Sequence, residues 1–256
     1  MIPYLEIPPL KILGLQFDAF GILVATGFLV GFQAMLRRAK QIGQNPIPLH
    51  DIAILAIVCG FVGAHVMHMV GYYPDKLLKE PWKIFYVWSG ISSYGGFLGA
   101  GLGIWYYTRR KGLPFQEYGD TLMFGMIPGW IFGRLGCYTA HDHPGLLTDF
   151  ILSVKYPGGN RHDLGFYDAL LAICIGVVVY SLGRKNGKER PAGFYLALTM
   201  LLYGVPRFFF DFLRATDLSY SDRRYFGLTP AQYVSIAFTI YGVTKLLQLH
   251  RKPNTA

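Results

Sequence analysis

Charged residues are scarce in this chain of 256 residues. Asp, Glu, Lys and Arg make up 15% of the sequence, whereas hydrophobic residues make up 52% and the mean hydropathy is positive. Soluble domains carry about 25% charged residues, so this composition excludes an ordinary water-soluble protein and indicates an integral membrane protein. The formal net charge is +9. Because the basic residues form short clusters between apolar runs, we expect no nucleic-acid partner.

Three further signals are missing. The three cysteines, Cys59, Cys137 and Cys174, lie in or beside apolar stretches with no CxxC pair, which indicates neither a disulfide framework nor a zinc site. The N-terminal segment has no basic region ahead of a clean apolar run, so we expect no cleaved signal peptide. No internal repeat is strong enough to indicate an inverted-repeat transporter.

Long apolar runs, in contrast, are abundant. A helix needs about 20 mostly apolar residues to cross a bilayer core, and only helices and closed barrels satisfy the backbone in lipid. The sequence therefore predicts an all-α integral membrane protein, a single polytopic domain over residues 1–256 with about seven transmembrane helices. The predicted spans are 20–36, 52–72, 91–107, 120–137, 166–183, 192–213 and 230–249.

The distribution of Lys and Arg predicts the orientation, since basic residues are held on the cytoplasmic side. One set of short loops is dense in them, and we predict that it is cytoplasmic, with the N-terminus outside and the C-terminus inside. The longer loops, 138–165 and 214–229, then face outward and contribute to any outward-facing site. The dense set is Arg37, Arg38, Lys40, Arg109, Arg110, Lys111, Arg184, Lys185, Lys188, Arg190, Arg251 and Lys252.

Two arginines do not fit either set of loops. Arg134 and Arg207 fall inside predicted spans, toward the outer half of each. A charge at the bilayer centre costs at least about 2.5 kcal/mol, so such residues usually face a polar cavity and serve function. Two guanidinium groups suit a lipid phosphate, because arginine offers planar bidentate donors and stays charged. The structural alternative is that Arg207 pairs with Asp211 and Arg134 with Asp142.

Glycine-rich and histidine-containing segments surround these arginines. Gly95, Gly99 and Gly103 repeat at a four-residue spacing, which favours close packing between helices. His141 and His143 flank an aspartate just after Arg134 and add titratable groups on the predicted outer face. A His-x-His pair is also typical of a metal site, but no third ligand follows at a telling spacing, so we expect no metal.

Four segments together resemble one known family, the bacterial prolipoprotein diacylglyceryl transferases, in matching order over nearly the whole chain. The most specific is Tyr-Gly-x-x-Arg-x-x-x-acid-x-x-Arg, which begins at Tyr203. The segments are SYGGFLGA (93–100), GRLGCYTAHDHPG (133–145), PGGNRHDLGFYDALL (157–171) and YGVPRFFFDFLRATD (203–217).

The resemblance implies a function, a location and a set of site residues. Members of that family transfer the diacylglyceryl group of phosphatidylglycerol to the lipobox cysteine of a prelipoprotein, which forms a thioether and releases glycerol phosphate, without a cofactor. It implies the bacterial cytoplasmic membrane, with the site toward the outer leaflet among membrane lipids. Arg134 and Arg207 are expected to be catalytic. The residues expected to bind substrate are Arg134, Arg207, Tyr203, Cys137, Asp142, Gly145, Asp211, Arg214, Gly95 and Gly96.

The sequence also departs from the family pattern. Tyr94 stands where the family has the histidine of His-Gly-Gly, Phe20 replaces a tyrosine, and Cys137 replaces an asparagine. If the incoming thiol needs a base, His141, His143 or Tyr94 must serve, or the thiol ionises beside the arginines. We expect His141, which lies nearest Arg134 in sequence, with Tyr94 as a second catalytic candidate; alternatively, His141 and His143 only shape the outer loop.

Two functions therefore remain after sequence analysis. One is the membrane transferase. The other is a divergent relative that binds or presents anionic phospholipid without chemistry, a hypothesis that the departures at Phe20, Tyr94 and Cys137 motivate.

Overall fold

The chain folds mainly into long helices, as its apolar runs predict. The computed structural model describes residues 1–12, 15–87, 90–184, 190–218 and 221–251. Lys185, Lys188 and Lys252, which contribute to the predicted orientation, lie outside the described residues. The helices are α1 Ala19–Gln41, α2 Ile47–Met67, α3 Pro74–Lys79, α4 Ser93–Arg110, α5 Phe115–Ala140, α6 Leu164–Arg184, α7 Phe194–Phe210 and α8 Pro230–Arg251.

The prediction of a helical membrane protein is confirmed. Within the described residues, four helices are long and apolar enough to cross a membrane: Ala19–Gln41, Ile47–Tyr72, Leu164–Arg184 and Phe194–Leu213. The second of these includes a π-helical turn, His68–Tyr72, that extends α2. The other three predicted spans correspond to α4, α5 and α8. These are also long helices, but they are less apolar or carry more charged residues than the four above.

Glycines allow the helices to approach closely in pairs. α1 packs along α5 and α2 along α4. A Cβ on Gly99 would fall 2.2 Å from the carbonyl oxygen of Cys59, and one on Gly31 would fall 2.6 Å from that of Gly125. Such contacts are closer than any side chain allows, so the backbones meet directly, as small residues permit in membrane helices.

The predicted packing role of the glycines in α4 is confirmed. A Cβ on Gly95 would lie 2.4 Å from the carbonyl oxygen of Gly63, and one on Gly103 would lie 2.7 Å from the sulfur of Cys59. Both glycines therefore face α2, as Gly99 does.

Short strands interrupt the predicted loops. β1 Leu10–Ile12 pairs antiparallel with β2 Leu15–Phe17. Between α5 and α6, the strands β3 Pro144–Leu147, β4 Val154–Tyr156 and β5 Gly159–Asp163 form an antiparallel sheet in the order β3-β5-β4. The sequence analysis predicted this region only as an outer loop. The strands are too short to give a clear alternation of apolar and polar residues, so the pattern missed them.

The alternating helix directions bring seven helix ends together at one end of the bundle. The starts of α1, α4, α6 and α8 and the ends of α2, α5 and α7 meet there, around the sheet β3-β5-β4. The described residues of the dense basic set, such as Arg38, Arg110 and Arg184, lie at the opposite ends of the same helices. At that far end, the Nη1 of Arg38 donates to the carbonyl of Gly183 at 3.2 Å, which joins α1 to α6.

Candidate active site

A cavity of about 260 Å³ opens where the seven helix ends meet. Its wall combines arginine, histidine, aspartate, cysteine and aromatic side chains, an unusual set for the end of an apolar bundle. The residues that line it include Phe20, His68, Tyr72, Tyr94, Arg134, Cys137, Asp142, His143, Arg207, Arg214 and Asp222.

The two anomalous arginines meet on one carboxylate at this cavity. Arg134 comes from α5, Arg207 from α7, and Asp168 from the first turns of α6. The Nη1 of Arg134 lies 3.1 Å from Oδ2 of Asp168, and the Nε of Arg207 lies 3.5 Å from the same oxygen. The side chains of both arginines are at most 4% exposed, and that of Asp168 is fully buried. Because an unpaired buried charge is very costly, Asp168 is what permits both guanidinium groups to stay here.

The ion pairs continue from Arg207 toward the surface. Arg207 contacts Asp211, one turn later, at 2.7 Å. Asp211 also lies 3.0 Å from Nε of Arg214, whose Nη1 is 2.6 Å from Asp222. A chain of alternating charges thus runs from the buried pair to the loop after α7. The predicted contact between Arg207 and Asp211 is confirmed.

The structural alternative in which Arg134 pairs with Asp142 is wrong. Arg134 pairs with Asp168, whereas the Asp142 carboxylate accepts a hydrogen bond from Nδ1 of His143. The reason is geometric: α5 ends at Ala140, and His141 then adopts a left-handed conformation with φ 50°. This reversal turns Asp142 toward its own neighbour and the cavity rim.

Asp168 is the site residue that the sequence analysis missed. It lies within the quoted segment 157–171, but the search for misplaced charges in the spans considered only Lys and Arg. An aspartate inside the apolar run of α6 is as costly as an arginine there. The same energetic test, applied to acids, would have identified it.

Several buried polar atoms around Asp168 make no hydrogen bond of good geometry. Within the described residues they include Nη1 of Arg134, Nε of Arg207, both carboxylate oxygens of Asp168, the hydroxyl of Tyr203 and Nε1 of Trp130. Native interiors contain few such atoms, so these donors and acceptors are placed to bind a substrate or ordered water. Each guanidinium carries five N–H donors, so donors remain beyond the contact with Asp168.

Aromatic residues hold the arginines from the side of the bundle. Tyr203 is 2% exposed, and its ring packs 4.4 Å from that of Trp130 and 5.7 Å from that of Tyr94. The hydroxyl of Tyr94 is hydrogen-bonded to that of Ser235 on α8. Tyr94 lines the cavity. Tyr203 is not one of the lining residues and lies behind the cavity wall. Tyr203 is therefore placed to support the guanidinium groups.

His141 and His143 occupy different surroundings. His143 lines the cavity. His141 is instead enclosed by β5 and the N-terminal residues: its Nδ1 lies 3.2 Å from Asp163, its Nε2 lies 3.2 Å from the carbonyl oxygen of Leu5, and its ring stacks on Tyr4 at 3.9 Å. Both ring nitrogens face oxygen acceptors, so neither is available to a substrate in the cavity.

The same enclosed cluster contains Tyr156, whose hydroxyl donates to Asp163 at 2.8 Å. Burial, together with the Asp163 carboxylate, raises the pKa of Tyr156 above its ordinary value. Tyr156 thus remains a donor, and this cluster fastens the N-terminal residues to the sheet.

The predicted site glycines have packing contacts. Gly95 and Gly96 face α2, where a Cβ on Gly96 would lie 3.7 Å from the carbonyl oxygen of Gly60. A Cβ on Gly145 would fall 2.6 Å from the carbonyl oxygen of Leu213, so β3 approaches the end of α7 directly. Nη1 of Arg161 donates to the Gly145 carbonyl at 2.9 Å. The contacts of Gly145 hold the sheet β3-β5-β4 beside the end of α7, next to the cavity.

Comparison with known proteins identifies the family. A family model described as prolipoprotein diacylglyceryl transferase matches residues 9–248. Relatives named phosphatidylglycerol--prolipoprotein diacylglyceryl transferase cover almost the whole chain. One from Nitratidesulfovibrio vulgaris (strain DP4) is 31% identical over 252 residues, which is 95% of each chain. One from Chromohalobacter salexigens is 28% identical over 99% of this chain and 96% of its own.

A third relative of the same name, from Clostridioides difficile (strain 630), is 28% identical over 93% of each chain. The resemblance seen in the four sequence segments is confirmed, and the chain belongs to the prolipoprotein diacylglyceryl transferase family.

Proposed function

We propose that this protein is a membrane enzyme that transfers the diacylglyceryl group of phosphatidylglycerol to the lipobox cysteine of a prelipoprotein. Family membership supports the activity, and the names of the relatives supply both substrates. The observation that carries the proposal is the pair of buried arginines, joined by Asp168, at the wall of a cavity.

The reaction forms a thioether and releases glycerol phosphate. The cysteine sulfur attacks the terminal glyceryl carbon, and the bond from that carbon to the phosphate oxygen breaks with its electron pair on the oxygen. The leaving group gains negative charge as this happens. Fixed cations in a low-dielectric site stabilise such charge far better than water does. Arg134 and Arg207 take this role, with Asp168 and Asp211 positioning them.

His143 is our candidate for the group that takes the proton from the thiol. The sequence analysis favoured His141, but the nitrogens of His141 are engaged by Asp163 and Leu5. His143 lines the cavity together with Arg134, and the Asp142 carboxylate accepts the hydrogen bond from its Nδ1. A carboxylate on one ring nitrogen fixes the ring and leaves Nε2 to act as the acceptor.

The remaining predicted site residues fall into two groups. Tyr94, Cys137 and Arg214 line the cavity and are proposed to contact the lipid head group or the incoming peptide. A second group positions the site from behind it or above it: Tyr203, Gly95, Gly96 and Gly145.

We further propose that the seven long helices of the described part all cross the bacterial cytoplasmic membrane, with the cavity toward the outer leaflet. Their basic ends, which include Arg38 and Arg110, lie opposite the cavity, as the charge rule requires for a cytoplasmic face. The N-terminus is then outside, and the sheet β3-β5-β4 covers the site on the side from which prelipoproteins arrive.

Replacing either buried arginine by lysine tests the reaction and its site. Arg134→Lys and Arg207→Lys each keep the charge but lose the planar fork, so glycerol phosphate release from phosphatidylglycerol and a lipobox peptide should fall about 100-fold. Arg110→Lys, at the opposite end, is the matched control. Wild-type protein that releases no glycerol phosphate where a family relative does would favour lipid binding without chemistry. Full activity in Arg207→Lys would remove the proposed site.

Replacing Asp168 tests whether it permits the buried arginines. Asp168→Asn keeps the shape but removes the shared negative charge, so the free energy of unfolding should fall by about 3 kcal/mol. Thermal unfolding in detergent measures this, with exposed Asp149→Asn as the control. Equal melting temperatures for the two variants would show that Asp168 does not stabilise the pair.

Histidine variants separate His143 from the two other histidines near the cavity, His141 and His68. His143→Gln should lower kcat about 100-fold with little change in the KM for phosphatidylglycerol, because proton transfer is lost while lipid binding is kept. His141→Gln and His68→Gln are the comparisons, and each should lower kcat much less. A larger loss in His141→Gln, in protein with unchanged thermal stability, would restore the choice made from sequence.

Reporter fusions test the orientation. Green fluorescent protein fused after Arg251 should fluoresce, because the C-terminus is cytoplasmic, whereas alkaline phosphatase fused after Thr148 should be active, because that loop is outside. Phosphatase that is inactive at Thr148 and active after Arg251 would show the reverse orientation.

A further inference from the structure

Three potential metal ligands meet at the cavity wall beside Arg134. They are the thiol of Cys137, a carboxylate oxygen of Asp142 and a ring nitrogen of His143, and these ligand atoms all lie within 4.8 Å of one another. All three residues line the cavity, and none of them is fully buried. The sequence analysis expected no metal because no third ligand follows the His-x-His pair. The cluster uses only one histidine of that pair, His143, together with Asp142, and its third ligand is Cys137, which precedes the pair in the last turn of α5.

The end of α5 explains the meeting. Cys137 lies in the last turn of the helix, and the left-handed conformation of His141 reverses the chain immediately afterwards. Asp142 and His143 therefore fold back toward the helix end. His143 already shares a proton with Asp142 through a hydrogen bond, and a metal ion would replace that proton between them.

The donor set suits one class of cation. A thiolate, an imidazole and a carboxylate together favour Zn²⁺ and its soft analogue Cd²⁺ over Mg²⁺ or Ca²⁺, which prefer oxygen ligands. Zinc bonds of about 2.0–2.3 Å place tetrahedral ligand atoms about 3.5 Å apart, so small side-chain rotations bring this cluster into range. Three protein ligands leave the fourth position facing the cavity.

The local charge also permits a cation. Arg134 is close by, but Asp168 lies 3.1 Å from it and offsets part of its charge, since the same carboxylate also contacts Arg207. The thiolate and the carboxylate contribute two negative charges, which match a divalent ion.

We infer that Cys137, Asp142 and His143 form an inhibitory binding site for one zinc-like divalent ion at the wall of the transfer cavity. This inference rests on the proposed function. A bound ion occupies His143, the group proposed to take the proton from the acceptor thiol, and holds Asp142 as well, so it blocks transfer. Binding also releases the thiol proton of Cys137.

Cadmium binding tests the site without reference to activity. Cd²⁺ is titrated into the full-length protein in detergent, and the absorption of the thiolate-to-cadmium bond is followed. One ion should bind, and the absorption should be lost in Cys137→Ser. Cys174→Ser, on the exposed side of α6, and Cys59→Ser, at the contact of α2 with α4, are the matched controls and should keep it. Absorption that survives in Cys137→Ser, or is absent from wild type, overturns the proposal.

Transfer assays test the inhibition. Zn²⁺ should abolish glycerol phosphate release by wild type and by Cys174→Ser, and a chelator should restore it. The lipobox peptide carries a thiol that can itself sequester zinc, so the deciding value is the ratio of rates with and without zinc in Cys137→Ser. A ratio near one supports the site; inhibition equal to that of wild type overturns it.

Two further outcomes are separated by the same measurements. If metal-free wild type shows no transfer, the proposed function fails, and the cadmium titration still decides whether the site exists.

If Cys137→Ser does not fold, His143→Gln replaces it as the test variant. His143→Gln should lose cadmium binding because one of the three ligands is gone, and unchanged binding overturns the proposal.

Discussion

The carboxylate of Asp168, shared between Arg134 and Arg207, is the interaction on which the site depends. Two guanidinium groups in an apolar bundle lose their hydration and repel each other, and the Asp168 carboxylate offsets both costs. Asp168 lies on α6, Arg134 on α5 and Arg207 on α7, so the ion pairs also join three helices at one end of the bundle. The position of the cavity follows from that junction, since the polar groups and the helix ends that carry them converge there. The chain of charges through Asp211 and Arg214 then connects the buried pair with the loop after α7.

The rest of the fold positions the ion pairs of Asp168 and places the sheet β3-β5-β4 and the N-terminal residues over the cavity. Glycine contacts, such as Gly99 against Cys59, bring neighbouring helices close and leave little freedom for the helix ends to separate. The small sheet and the N-terminal residues form the cover, with His141 and Asp163 in an enclosed cluster. Arg161 fastens β5 to the loop after α7 through two contacts with Asp217, at 3.0 and 2.5 Å. A bidentate pair of this kind is geometrically specific, so it fixes the orientation of Arg161 relative to the loop after α7.

Part of this arrangement was predictable. The apolar runs predicted all seven long helices of the described region. Only four of those seven are both long and apolar enough to be identified as membrane spans by composition. Arg134 and Arg207 were identified because the energetic cost of a charge in an apolar helix is a local property of the sequence. Their common partner was not identified, because the distance from Asp168 to either arginine depends on how α5, α6 and α7 pack. The surroundings of His141 and His143 could not be predicted for a similar reason: the conformation of one residue after α5 places the ring of His141 in the cluster with Asp163 and that of His143 in the cavity wall.

The amino-acid sequence by itself determined the membrane class, the helices and the family, because hydropathy, charge placement and the four ordered motifs are local properties of the sequence. It also determined that two arginines needed a polar environment. Only the tertiary structure decided which carboxylate supplies it, which histidine faces the cavity, and that Cys137 lies beside Asp142 and His143. These are contacts between side chains on different helices or across a chain reversal. Their distances are set by packing and by one left-handed backbone conformation, neither of which residue spacing encodes.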